Sequence, residues 1–85
     1  MGIEYRVRFS PEAGPGEAIL RRLDGWREGP HGFGYGRDPA GPEASAWADA
    51  DGILFCDHLG AEGRLALDAL VAALTAYGPV TVEEV

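Results

Sequence analysis

The sequence predicts an α+β fold, a two-layer sandwich with an antiparallel sheet and two helices on one face. Three observations carry this expectation. Residues 3–9 alternate strictly between apolar and polar. Apolar residues recur at helical spacing in two stretches, around Leu20 and around Leu70. Short alternating runs, bounded by glycine and proline, fill the remainder of the 85 residues. At this length one domain, 1–85, is the expected organisation, and one sheet with one helical layer is the economical way to build its core.

The first run, IEYRVRF (3–9), sets Ile3, Tyr5, Val7 and Phe9 on one side and Glu4, Arg6 and Arg8 on the other. That is the pattern of a half-buried strand. SPEAGPG (10–16) breaks it with two prolines and two glycines. EAILRRLDGW (17–26) then brings Ile19, Leu20, Leu23 and Trp26 onto one helical face, with Arg21, Arg22 and Asp24 outward. Gly25 is the expected terminator, since helices commonly end on a left-handed residue.

HGFGYGR (31–37) alternates again, with Gly32, Gly34 and Gly36 on one side and His31, Phe33, Tyr35 and Arg37 on the other. DPAGPEAS (38–45) has loop composition. AWADADG (46–52) fits either a loop or a short strand turning at Asp51-Gly52. ILFCDHL (53–59) is apolar on both sides until Asp57. After Gly60, Leu67, Leu70, Val71 and Leu74 form a helical stripe that Tyr77 extends, and Gly78-Pro79 stops it. VTVEEV (80–85) reads as a last strand.

The resulting order is β-α-β-β-α-β, for which the ferredoxin-like split β-α-β plait is the economical topology. The alternative is β-α-β-β-β-α-β, with an extra short strand near Trp47.

Composition excludes several functions. The net charge is −7, with seven basic residues against 14 acidic ones. Nucleic-acid binding needs clustered positive charge to displace counterions from phosphate, and anionic membranes need it too. Neither is expected as a partner. All the basic residues are arginine, and lysine, asparagine and glutamine are absent, a bias that fits a high-GC bacterial genome. One cysteine cannot form an internal disulfide. No apolar N-terminal run follows a basic segment, and no apolar helix is long enough to span a bilayer. A reducing cytoplasm is the expected location.

The stretch GILFCDHLG (52–60) sets Cys56, Asp57 and His58 side by side, the residue types of a nucleophile, an orienting acid and a base. On a strand, neighbours point to opposite faces, so the three cannot form a relay with one another. Cys56 and His58 share a face but stand about two rises of ~3.3 Å apart, beyond hydrogen-bond reach for an extended strand. The expected roles are structural: Cys56 as a buried small apolar residue, Asp57 and His58 where the strand leaves the sheet. A Cys56, His58 and His31 set would supply the N and S donors zinc prefers, yet the spacing matches no zinc signature. No metal or cofactor is expected, and enzymatic function is disfavoured. GPHGFGYG (29–36) neither follows a strand nor opens a helix, as a phosphate-cradling loop does. Its glycines, Gly32, Gly34 and Gly36, instead make a bare stripe that another backbone, a partner or a small ligand can approach. The acidic ADAD (48–51) lacks the ligand ladder of a calcium loop.

The face opposite the helices directs the functional expectation. It carries Arg6, Arg8, Leu54 and Cys56, and apolar residues on a face that should meet water imply a cover. A small non-enzymatic acidic interaction or regulatory module is expected, self-associating as a homodimer or paired with another protein through these residues. A basic partner, as for a toxin-neutralising protein, would match the net charge. The alternatives are a small-ligand sensor built on Gly32, Gly34 and Gly36, and a Cys/His-dependent enzyme or metal protein.

Overall fold

A computed structural model of the chain describes residues 2–37 and 41–85. The loop expected over 38–45 lies outside the described residues at positions 38–40. Six strands and two helices follow in the order β1 (Ile3–Phe9), α1 (Gly16–Arg22), β2 (Trp26–Gly29), β3 (Gly32–Tyr35), β4 (Ala44–Asp49), β5 (Gly52–Asp57), α2 (Gly63–Thr75) and β6 (Val80–Glu84). A short 3-10 turn, Pro11–Ala13, precedes α1. All strands join one sheet in the order β2-β3-β4-β5-β1-β6, and every neighbouring pair is antiparallel.

The α+β class holds, but the expected topology does not. A four-stranded ferredoxin-like plait is overturned by the six strands and their order, and the five-stranded alternative also lacks β2. The error has a local cause. The helix expected over 17–26 stops at Arg22: Leu23 is extended (φ −85°, ψ 138°) and Gly25 turns the chain at φ 91°. Trp26 therefore opens a strand instead of closing a helix. It still faces the core, packed edge-on against Tyr35 (centroids 5.3 Å apart) and Phe55 (5.9 Å). Either conformation buries the indole, so apolar spacing could not separate them.

β2 to β5 form a meander. At the last hairpin Asp49 pairs with Gly52, whose φ of 121° favours glycine. A side chain at Gly52 would also strike the Val7 carbonyl of the neighbouring strand. The register sets Tyr5 against Phe55 and Val7 against Ile53, and Phe33 against Ala46. These residues face one way. Ile19 and Leu20 of α1, with Leu67, Leu70 and Leu74 of α2, close over them into one buried cluster. Val71 is only partly buried, and Tyr77 lies past the end of α2, exposed. Among the described residues, no helix is long and apolar enough to cross a membrane.

Candidate functional site

Both helices pack on the same side of the sheet, because their buried residues belong to the one cluster with Val7, Phe33, Ile53 and Phe55. Among the described residues, the other face carries no helix. Its composition follows from register. One row across the strands reads Arg27, Gly34, Ser45, Cys56, Glu4. The next holds Gly29, Gly32, Trp47, Leu54, Arg6 and Glu83. Trp47 and Leu54 are directly paired at the centre. Trp47 is 37% exposed and Leu54 half-buried, on a face that neither helix covers.

All the expected interface residues, Arg6, Arg8, Leu54 and Cys56, lie on this face. The two arginines already have partners within the chain. Arg6 Nη1 donates to Asp49 Oδ1 at 2.8 Å and Arg8 Nη1 to Glu83 Oε1 at 3.0 Å. The Arg6–Asp49 contact, with a second hydrogen bond from the Asp51 N–H, holds the Asp49 carboxyl below its ordinary value. Trp47, which sequence reasoning did not assign to the interface, stands at its centre. Its strand was the ambiguous one, so its direction could not be read.

The three chemistry-bearing residues of GILFCDHLG separate. Cys56 is half-buried, less than expected, because neither helix covers its face. Burial still pushes its thiol up, and the neighbouring Glu4 carboxylate adds to the effect. Asp57 turns to the helix side, 8% exposed. Its Oδ1 accepts the Leu59 N–H at 2.8 Å and supports that residue's left-handed backbone (φ 64°). The same carboxylate abuts Gly63, the first residue of α2, where a side chain would collide with it. There it favours the positive end of the helix dipole.

His58 shares a 2.8 Å hydrogen bond between its Nε2 and Ser45 Oγ, not Cys56. A serine and a histidine at this distance have the spacing of a nucleophile and its base. The pair is solvent-exposed, and among the described residues no carboxylate orients the ring's other nitrogen. The arrangement pins the end of β5 to β4, alongside the His58 N–H donated to the Glu43 carbonyl at 3.2 Å. His31 sits in the β2–β3 turn, two strands from β5. Among the described residues, no three His, Cys, Asp or Glu side chains converge on a point where a metal ion would sit.

The glycine stripe floors a shallow open groove of about 490 Å³ between β3 and β4. Gly32, Gly34, Ser45, Trp47, Pro30 and Pro42 line it, and Pro42 packs against Gly34. A second groove of about 260 Å³ runs beside it toward Arg27 and Gly36. Comparison of the chain with protein families, curated proteins and solved structures returns no match.

Proposed function

We propose that this protein is a small non-enzymatic interaction module that self-associates through the uncovered face of its sheet. The observation that carries the reading is the paired Trp47 and Leu54 at the centre of a face with no helix above it. Aromatic anchors at the centre of a face, ringed by polar groups, are the usual energetic core of an interface. Charge supports a second copy as the occupant. The face carries Arg6, Arg8 and Arg27 against Glu4, Asp49 and Glu83, so its charges balance, while the chain as a whole is −7. Two copies meeting there bring together neutral surfaces and keep their excess acid outward. The surface left exposed is acidic and suits a basic partner.

The test is mass by light scattering over a dilution series. The wild-type chain should approach twice its 9.0 kDa mass at high concentration. Leu54→Asp should remain a monomer, because an unpaired charge at the centre loses its hydration. Trp47→Ala should weaken assembly without introducing a charge. Glu62→Ala, at an exposed position outside the face, should leave assembly unchanged. A folded wild-type protein that stays monomeric throughout would overturn the reading. A second reading, small-ligand sensing, is supported by the glycine-floored groove. It would lead if the monomeric chain gained thermal stability with one class of small molecule.

A further inference from the structure

The face is self-complementary in a specific way, and we infer that two copies pair about a two-fold axis lying along β4. This rests on the self-association proposed above and names its geometry. A two-fold relating two sheets packed face to face must lie in the plane between them. If it runs parallel to the strands, each row faces its own reverse. With the axis on β4, the row Arg27, Gly34, Ser45, Cys56, Glu4 meets Glu4, Cys56, Ser45, Gly34, Arg27 of the second copy.

Shape and charge then agree. Cys56 of one copy stands over Gly34 of the other, and in the next row Leu54 stands over Gly32. Leu54 therefore meets the groove lined by Gly32, Trp47 and Pro30, and Cys56 meets its edge, where Pro42 packs on Gly34. Trp47 lies on the axis and leans to opposite sides in the two copies, the offset arrangement aromatic pairs prefer. Arg27 meets Glu4 twice, once on each side. At the end of the axis Asp49 faces its own copy, each neutralised by Arg6 at 2.8 Å. No other strand serves as well. An axis on β5 would set Leu54 against Leu54, bring Trp47 over Arg6 and Glu83 over Gly32, and leave β2 with Arg27 unpaired. The two β4 strands then run parallel along the axis, an aligned packing of the two sheets.

The experiment combines charge reversal with cross-linking. Arg27→Glu and Glu4→Arg should each raise the dimer dissociation constant about tenfold or more, since each sets like charges together twice. The double variant should return to within about threefold of wild type, because the swapped pairs are again opposite. In a Cys56→Ser background, Ser45→Cys lies on the axis and should give a covalent dimer with a short bismaleimide. Thr81→Cys, on β6 and outside the overlap, should not. A dimer by light scattering that shows no charge-swap rescue, or cross-links at position 81 and not at 45, overturns this geometry and leaves self-association standing. A monomeric wild-type chain overturns both.

Discussion

Leu70 and Leu65 lie on the same helix and differ chiefly in where they point. Leu70 is fully buried and Leu65 is 61% exposed. Truncation of either to alanine removes the same atoms and changes helix propensity by the same small amount. At Leu70 the transfer loss is about 0.8 kcal/mol for each of three buried carbons, or roughly 2.4 kcal/mol. The cavity left beneath α2 adds to it, so Leu70→Ala should cost about 3–4 kcal/mol, inside the usual ~2–5 range. That is a large share of the ~5–15 kcal/mol a typical domain holds. At ~4–8 °C per kcal/mol for a domain of this size, the melting temperature should fall by about 12–32 °C. Leu65→Ala should cost no more than about 0.5 kcal/mol. Thermal unfolding followed by circular dichroism measures both. Equal melting temperatures for the two variants would refute the orientation of α2, and with it the assignment of the helix-covered face.

Two further outcomes follow from ionisable groups. Cys56, whose thiol is pushed up first by burial and then by Glu4, should react with a disulfide reagent more slowly than a free thiol at neutral pH, and Glu4→Gln should speed it; native labelling as fast as a free thiol would contradict this. Asp49 is held below its ordinary value, first by Arg6 and then by the Asp51 N–H, so its contribution is present above the ordinary carboxyl range and is lost as pH falls through the lowered folded value. Urea unfolding of wild type and Asp49→Asn should therefore differ near pH 7 and converge at about pH 2; a constant gap would remove the ion pair as its cause.

How much of this was legible depended on the contrast each element presents. β1 alternates large apolar residues with charges, and α2 carries leucines at helical spacing, so both stand out. β4 does not, because its helix-side residues are Ala44, Ala46 and Ala48. They are small for a reason. α1 packs over β4, and a side chain at Gly16 would come within 2.8 Å of Ala48 Cβ and Ile53 Cγ1. Close approach of helix and sheet thus erases the apolar signal that would have announced the strand. β2 was hidden differently: four residues are too few to show a period, and Trp26 satisfies the helical spacing that precedes it.

The site was legible where it lies within one strand and illegible where it spans several. Leu54 and Cys56 stood out because their strand is apolar on both sides. The Ser45–His58 bond, the placement of Trp47 and the row from Arg27 to Glu4 are properties of pairing between strands, and no local pattern encodes them. The bare face itself follows from topology. β1 and β2 run parallel, as do β5 and β6, and each pair is joined through a helix. The β1-to-β2 and β5-to-β6 crossings move toward opposite edges from strands of opposite direction. Right-handed crossovers of that kind put both helices on the same side. This topology leaves the other side without a helix, and water would be satisfied by polar residues at its centre. This chain places a tryptophan and a leucine there, with glycines on one side of the pair and Arg6 on the other. Exposed apolar side chains and in-strand glycines are both unfavourable on a solvent-facing sheet, and both are consistent with a second copy of the same surface.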